Sequence, residues 1–550
     1  MTTVTLSLVS HTNVGKTTLA RTLLGRDIGE VRDAPHVTEF ADEHLLIESE
    51  DGQHRLMLWD TPGFGDSVRL ARRMRQVANP LGWLLAEVWD RWRDRAFWMS
   101  QQALRHVKSG SDVLLYLVNA SEPEAGYLQS EMQLLAWTGK PVLVLLNQLG
   151  LPRSAAEEEA ELAQWRERLA PWARVRAVLP LDAFARCWVH EAVLLQAVGE
   201  ALAGERPGSA VDTGIAGANA LNEPPERTAT TAPPATAAER LAAFAALRAA
   251  WSARHEARFN AACLELAESL ARTATAREVV QEPAGFSERL RDWGARLVNP
   301  TATEDPAAAA QQRLATMLEA EVRASTERLL QIHGLAGRDS AAAAGGEQED
   351  AVTRILERVA AQMQPHRRVP EGRSAVLGGA LTGALAGLKA DLATGGLTLG
   401  GGLLAGGLIG ALGAAGLARG INLVRGTAGH SWVAWGATSW PMLAEAALLR
   451  YLAVAHYGRG RGEWSEAEAP PHWPAAVATA LAPRQEAFER LWKGRNERQP
   501  APDEAARLAR ALAPLVAASL ETALAALYPQ APIAGLRAVS QVPPADNARV

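Results

Sequence analysis

The sequence predicts an α/β N-terminal domain with a doubly wound, mostly parallel sheet. A mostly α-helical C-terminal domain with a glycine-rich helical hairpin is expected to follow it. Short apolar runs alternate with helix-like runs over residues 1–203, which is typical of such a sheet. A Gly-Lys-Thr loop joins the first apolar run to the first helix-like run. Beyond residue 236 the chain is rich in Ala, Leu, Glu and Arg, with apolar residues three and four apart, which predicts helices.

Length and charge restrict the class of protein. A chain of 550 residues exceeds the usual size of one domain. The net charge of −5 and the pI near 6.2 give no electrostatic case for nucleic-acid binding, so no DNA partner is expected. The N-terminus enters a strand-like run without the pattern of a signal peptide, which favours a cytoplasmic location.

The cysteines and histidines indicate neither a disulfide framework nor a transition-metal site. The two cysteines, Cys187 and Cys263, fit a reducing cytosol. Cys187 is interpreted as a small buried apolar residue. The 12 histidines show no spacing typical of metal ligands.

Six strand-like runs define the predicted sheet. They cover residues 4–9, 43–47, 55–59, 113–119, 142–146 and 175–179. A long helix is predicted around residues 81–107, with Trp83, Trp89 and Trp98 off its main apolar stripe. Two apolar faces indicate that this helix lies between two domains of the chain or contacts an unidentified protein partner.

Residues 10–17 form the pattern of a phosphate-binding loop between a strand and a helix. Backbone N–H groups of such a loop surround the phosphates of a nucleotide. Lys16 is expected to reach the β- and γ-phosphates, and Thr17 to bind Mg²⁺. Ser10 replaces the first glycine of the motif, which is tolerable only if its backbone keeps a negative φ.

A second motif follows the predicted strand at residues 55–59. Asp60 begins the sequence Asp-Thr-Pro-Gly, and a carboxylate at the end of a buried strand is suited to the Mg²⁺ shell. The N–H of Gly63 is expected to sense the γ-phosphate. Thr38 lies between the two motifs and is either a Mg²⁺ ligand or a plain loop threonine.

These motifs resemble those of the Era/TrmE/septin branch of P-loop GTPases. The resemblance rests on Gly15-Lys16-Thr17, Thr38, the Asp60–Gly63 motif, the strand at 113–119 and Asn147, and it covers about the first 200 residues. More narrowly, the chain resembles a bacterial group with such a domain ahead of a long helical domain of unknown function. The resemblance implies binding of GTP and GDP, slow GTP hydrolysis, and Mg²⁺ as a cofactor. It implies these nucleotide contacts: Ser10, His11, Thr12, Asn13, Val14, Gly15, Lys16, Thr17, Thr18, Asp60, Gly63, Asn147 and Gln148.

Two departures from the family pattern affect these expectations. The base-reading motif Asn-Lys-x-Asp is replaced by Asn147-Gln148-Leu149-Gly150, so guanine preference is not secured by this loop. Asp182 lies where the last base-contacting loop of the family falls. Phe64 stands where many such GTPases carry a water-orienting Gln, so intrinsic hydrolysis is expected to be slow.

The expected catalytic residues are Lys16, Asn13 and Thr38, and the expected Mg²⁺ ligands are Thr17, Thr38 and Asp60. In potassium-activated members of this branch, an Asn at the position of Asn13 coordinates K⁺ beside the phosphates. K⁺ is therefore a second candidate cofactor. The alternative is that Asn13 merely tolerates an unusual φ in a tight loop.

The sequence divides into five predicted regions. They are a G domain (1–203), a flexible linker (204–236), a helical domain (237–372), a glycine-rich apolar hairpin (373–426) and a C-terminal helical region (427–540). In the hairpin region, residues 375–388 and 392–418 carry no charge, and glycines recur at four-residue steps. This spacing is typical of closely packed membrane helices. Because residues 375–388 are too few to span a bilayer, a shallow membrane hairpin is expected, and a packed hairpin inside a soluble domain is the alternative.

Three functions fit this pattern. The leading hypothesis is a GTP-hydrolysing switch, cytoplasmic and peripheral to or inserted in the inner membrane, with membrane lipid as a partner. The second is a soluble ribosome-associated assembly GTPase, and the third is a nucleotide-binding scaffold with little hydrolysis. Switches of this branch often form homodimers, but the sequence decides nothing about the oligomeric state.

Overall fold

A computed structural model describes most of the predicted sheet and much of the helical region. The described residues are 1–25, 42–77, 95–149, 155–181, 187–204, 236–280, 306–335, 421–425, 431–456, 472–493 and 501–529, with single residues at 80, 84, 495 and 531. The chain divides into two compact units. Of the described residues, the first unit contains those up to 149 and those from 156 to 255, and the second contains residue 155 and those from 256 onward.

The first unit contains a six-stranded sheet. Its strands are β1 (Thr2–Ser10), β2 (Asp42–Glu48), β3 (His54–Asp60), β4 (Val113–Asn119), β5 (Val142–Asn147) and β6 (Val175–Pro180). The strand order is β2-β3-β1-β4-β5-β6, and only the β2–β3 pair is antiparallel. All of β5 is buried and only the last residue of β4 is not, as expected for parallel strands that are covered on both faces.

Helices cover both faces of this sheet. They are α1 (Lys16–Leu24), α2 (Ser67–Arg75), α3 (Arg95–Gly110), α4 (Leu128–Thr138), α5 (Ala155–Leu169), α6 (Trp188–Ala203) and the first part of α7 (Ala237–Thr275). One core cluster joins the sheet to α1, α6 and α7, and a second joins it to α2, α3, α4 and α5. The predicted doubly wound, mostly parallel sheet is therefore confirmed.

The second unit is mostly helical in its described part. After the remainder of α7, its helices are α8 (Pro306–Ile332), α9 (Trp440–Ala455), α10 (His472–Leu481), α11 (Gln485–Trp492) and α12 (Glu504–Leu527). Short 3₁₀ turns at Ala437–Ser439 and Ala482–Arg484 precede α9 and α11. This agrees with the predicted helical C-terminal domain.

A small antiparallel sheet in the second unit was missing from the sequence prediction. Its strands are β7 (Arg277–Val280), β8 (Ile421–Arg425) and β9 (Ser431–Trp435), in the order β7-β9-β8. Val433, Ala434 and Trp435 are consecutive and all buried, so β9 lacks the alternation that marks a half-exposed strand. Its partner β7 precedes it by about 150 residues, a pairing that local patterns do not reveal.

Several sequence predictions lie outside the described residues. The glycine-rich segments at 375–418, the linker from 205 to 235, Thr38, Gly150 and Asp182 belong to this group. Within the described residues, α12 alone is long and apolar enough to cross a membrane, and 44% of its most apolar window is buried inside the protein. By length and composition the core helix of a globular unit passes the same test, so α12 is weak evidence for membrane insertion.

Candidate nucleotide-binding site

The predicted phosphate loop connects β1 to α1 at the carboxyl edge of the sheet. β1 ends at Ser10 and α1 begins at Lys16. Gly15 has φ 94° and Asn13 has φ 66°, both in the left-handed region. The φ of Ser10 is not positive. The side chain at Ser10 is therefore compatible with the loop, and Asn13 adopts a conformation that Asn tolerates better than most residues.

Lys16 lies inside the loop rather than on its surface. Its side chain is buried, and its Nζ donates to Ser10 Oγ at 3.3 Å. Burial lowers the pKa of Lys16, and the charges of Asp60 and Glu131 oppose that shift. The charges of Asp60 and Glu131 thus favour the protonated amine, which is the form that binds the anionic phosphates of a nucleotide.

Thr17 and Asp60 are brought together by the neighbouring β1 and β3. Thr17 Oγ1 donates to Asp60 Oδ2 at 2.6 Å. Asp60 Oδ1 is buried and has no hydrogen-bond partner among the described residues. Burial raises the pKa of Asp60, while Lys16 and the hydrogen bond from Thr17 oppose that rise. Mg²⁺ prefers oxygen ligands, and this pair offers a hydroxyl oxygen and a carboxylate with one oxygen that has no hydrogen-bond partner among the described residues. Thr17 and Asp60 therefore fit the expected cofactor.

The described residues hold no other metal candidate. No group of three or more His, Cys, Asp or Glu side chains in the described ranges is arranged to bind a metal ion. Both cysteines are buried and unbridged, as Cys187 was expected to be.

The segment after Asp60 packs directly on the phosphate loop. Phe64 N–H donates to Ser10 O at 2.9 Å, and Thr12 N–H donates to Phe64 O at 3.4 Å. A Cβ on Gly63 would lie 3.1 Å from both Lys16 Nζ and Thr12 Cα, which explains why glycine stands there. The Phe64 side chain is fully buried, so it offers no polar group to an attacking water.

Asn147 connects the end of β5 to the phosphate loop. It is fully buried, and its Nδ2 donates to Val14 O at 2.7 Å. A Cβ on Gly15 would lie 2.8 Å from the same Nδ2. Gln148 follows with φ 58°, a left-handed conformation. The structure thus brings Asn147 against the loop, while Gly150 and Asp182 lie outside the described residues.

Sequence reasoning placed His11 in the loop but missed its partner. His11 Nδ1 lies 2.7 Å from Glu131 Oε1, on α4. Ser100, on α3, was also missed: its Oγ accepts from the N–H groups of Gly65 and Asp66 and fixes the start of α2. No motif marks these contacts, since the partners are 120, 35 and 34 positions apart.

Residues 5–148 match the family model described as "50S ribosome-binding GTPase", and residues 236–513 match the model described as "Domain of unknown function (DUF3482)". The phosphate loop, the Thr17–Asp60 pair and the six-stranded sheet define an N-terminal P-loop GTPase domain. The DUF3482 match spans just over half of the 550 residues, and the chain belongs to that family.

Solved structures similar to this chain include three GTP-binding proteins. Era from Aquifex aeolicus bound to GDP and aluminium fluoride is 17% identical, with a TM-score of 0.25, over 33% of this chain and 52% of its own. NFeoB from S. thermophilus bound to mGMPPNP is 20% identical, with a TM-score of 0.21, over 32% of this chain and 54% of its own. A probable GTP-binding protein engB is 17% identical, with a TM-score of 0.22, over 32% of this chain and 88% of its own. This chain therefore spans about half the length of the Era and NFeoB structures.

Proposed function

We propose that this protein is a guanine-nucleotide switch that hydrolyses GTP to GDP and phosphate at the cytoplasmic face of the membrane. The observation that carries the proposal is the Thr17–Asp60 pair beside the buried Lys16. These three side chains join a cation, a hydroxyl and a partly unsatisfied carboxylate at one loop. That combination suits a triphosphate with its divalent metal.

Each residue has a distinct role in this proposal. Lys16 neutralises the β- and γ-phosphates, and the loop N–H groups of residues 13–17 donate to their oxygens. Thr17 and Asp60 hold Mg²⁺, with Thr38 as a further ligand; the metal would neutralise charge on the phosphates. The main chain at Gly63 reports the γ-phosphate, because the next residue, Phe64, is already bonded to the loop at Ser10 and Thr12.

Hydrolysis is slow in this proposal because Phe64 cannot orient water. Its side chain belongs to the core cluster beneath α2 and α3. Asn13 is then the residue that brings K⁺ to the phosphates. The left-handed φ of Asn13 fits equally well the alternative that Asn stands there only because it tolerates this backbone conformation. The dependence of hydrolysis on K⁺ therefore has to be measured.

Membrane association rests on the glycine pattern of residues 375–418 alone. The ribosome-associated alternative is favoured by the description of the family model that matches residues 5–148. Its weakness is the net charge of −5, which opposes binding to RNA unless a local basic surface compensates. A nucleotide-binding scaffold is the third candidate, favoured by Phe64 and by the altered base-reading loop.

Nucleotide turnover by the purified full-length protein tests these alternatives together. GTP is compared with ATP, and K⁺ with Na⁺, each with and without vesicles of anionic phospholipid. Turnover that is selective for GTP and stimulated by K⁺ and by vesicles supports the whole proposal. Equal use of ATP would show that the loop from Asn147 does not select guanine.

Two other outcomes would redirect the assignment. Absence of a vesicle effect, together with GTP-dependent co-sedimentation with ribosomal subunits, would favour the assembly GTPase. Absence of turnover in every condition, with nucleotide still bound, would favour the scaffold.

A further inference from the structure

A fully buried carboxylate lies behind the phosphate loop and belongs to none of the nucleotide motifs. Glu131, in the first turn of α4, is 0% exposed. Glutamate is almost never fully buried unless it is paired. Burial raises the pKa of Glu131, and hydrogen bonds from His11 and Tyr116 oppose that rise. The hydrogen-bond partners of this carboxylate therefore offset the free-energy cost of burying it.

Both oxygens of Glu131 have partners, and one partner is in the phosphate loop. Oε1 lies 2.7 Å from His11 Nδ1, and Oε2 accepts from the Tyr116 hydroxyl at 2.8 Å. Tyr116 is a fully buried residue of β4. Glu131 thus connects α4 and the centre of the sheet to the second residue of the loop.

A second contact fixes the His11 ring. The ring stacks on Tyr127, with centroids 4.0 Å apart and planes 6° apart. Tyr127 is the N-cap residue of α4, so the same end of this helix supplies both the stacking surface and the carboxylate. The imidazole is held in one orientation even though His11 is partly exposed.

The main chain on either side of His11 is the part of the loop that contacts the segment after Asp60. Ser10 O accepts from Phe64 N–H, and Thr12 N–H donates to Phe64 O. Ser10 Oγ also accepts from Lys16. A displacement of His11 would therefore move Ser10 and Thr12, and with them the groups expected to surround the phosphates.

We propose that Glu131 is a positioning residue for nucleotide binding, which acts through His11 to hold the phosphate loop in the conformation that receives the phosphates. This inference rests on the proposed nucleotide-binding function of the loop. Glu131 does not touch the nucleotide; it keeps His11 between α4 and the loop.

A double-mutant cycle tests the inference on the full-length protein. Fluorescent N-methylanthraniloyl-GDP is titrated into wild type, Glu131→Leu, His11→Phe and the double variant; neither new side chain can form the hydrogen bond, and the phenyl ring keeps the stacking surface for Tyr127. Loss of this hydrogen bond to a buried carboxyl group is expected to weaken GDP binding about tenfold in each single variant. Because both substitutions break the same link, the double variant should bind no more than about twofold worse than either single one.

A matched control separates positioning from stability. Glu191, on α6, is also buried, at 7% exposed, and accepts from Trp251 Nε1 at 3.1 Å. It belongs to the other face of the sheet, so Glu191→Leu should lower the melting temperature while leaving the dissociation constant for GDP unchanged. Steady-state kinetics should show a higher KM for Glu131→Leu and His11→Phe.

Unchanged GDP affinity in folded Glu131→Leu and His11→Phe would overturn the inference, as would fully additive losses in the double variant. If Glu131→Leu does not fold, His11→Phe at its partly exposed position decides alone, and wild-type affinity in that variant would contradict the inference. Failure of the wild-type protein to bind any nucleotide would instead overturn the proposed function itself.

Discussion

Among single residues, Gly15 is the position in the phosphate loop where a side chain would both strain the backbone and meet a neighbouring side chain. Gly15 combines a left-handed φ of 94° with the close approach of Asn147, whose Nδ2 would lie 2.8 Å from an added Cβ. Gly139, in the turn after α4, also has a positive φ of 74°, but nothing lies within 4 Å of its added Cβ. The two positions therefore share backbone strain and differ only in the space around them.

Gly15→Ala is expected to abolish nucleotide binding, and Gly139→Ala is not. Each substitution should cost about 1–2 kcal/mol of stability for the left-handed backbone. Only at Gly15 must Asn147 also move, which would break its bond to Val14. Thermal unfolding and fluorescent-GDP titration of both variants check this difference. Equal nucleotide affinity in the two variants would show that the Gly15–Asn147 contact does not shape the site.

At the scale of elements, the first part of α7 is an integral part of the first unit. Phe244, Leu247 and Trp251 are buried in the core cluster that contains α1 and α6. Polar contacts accompany them: Arg240 bonds Asp112 at 3.2 Å, and Trp251 Nε1 bonds Glu191 at 3.1 Å. A helix that follows the linker region in sequence therefore completes the packing of one face of the sheet.

Trp251→Ala should destabilise the protein by about 3–5 kcal/mol, because it leaves a large cavity and removes the bond to Glu191. Leu241→Ala in the same helix is the control, since Leu241 is 37% exposed and should change stability by less than about 0.5 kcal/mol. Urea unfolding of the full-length variants, followed by circular dichroism, measures both. A Trp251→Ala effect as small as that of Leu241→Ala would contradict the packing of α7 on this unit.

The elements also show what the sequence could predict. All six strands of the large sheet were predicted, because continuous apolar runs such as β4 and β5 mark buried parallel strands without further context. The small sheet of β7, β8 and β9 was missed, since β9 is buried along consecutive residues and its partner β7 is remote.

The same distinction applies to the site. Short sequence motifs contain Lys16, Thr17 and Asp60, and the residue types and spacing of these motifs predict their chemistry. The Glu131–His11 contact joins residues 120 positions apart, so only the folded chain reveals it. The roles assigned to Thr38 and Asn13 stay predictions.

For the molecule as a whole, a buried histidine makes the stability of the second unit depend on pH. In the second unit, His456 is buried between α9 and Tyr528, with its Nδ1 2.6 Å from Leu452 O and its Nε2 bonded to the Tyr528 hydroxyl. Burial lowers the pKa of His456 to about 4. The ring is therefore neutral in the fold at a pH where the unfolded chain already binds a proton.

This histidine should make the second unit lose stability as the pH falls from about 6.5 to about 4. Above pH 6.5 the ring is neutral in both states and contributes no pH dependence. Below it, the unfolded chain gains a proton that the fold excludes, which costs up to about 3 kcal/mol. Urea unfolding at several pH values, compared with His456→Gln, isolates this contribution from that of the carboxylates. Identical pH profiles for the two proteins would refute it.

In the proposed function, the loop from Ser10 to Thr17 binds a nucleotide through Lys16. The most direct test is calorimetric titration of GTP, in the presence of Mg²⁺, into the full-length protein, Lys16→Ala and Lys108→Ala. Lys108 belongs to α3 of the same unit and donates to Thr138 O, away from the loop, so it controls for the loss of one positive charge. We predict one binding site in wild type, the same affinity in Lys108→Ala, and no detectable binding in folded Lys16→Ala. Wild-type affinity in Lys16→Ala would contradict the assignment of this loop as the nucleotide site.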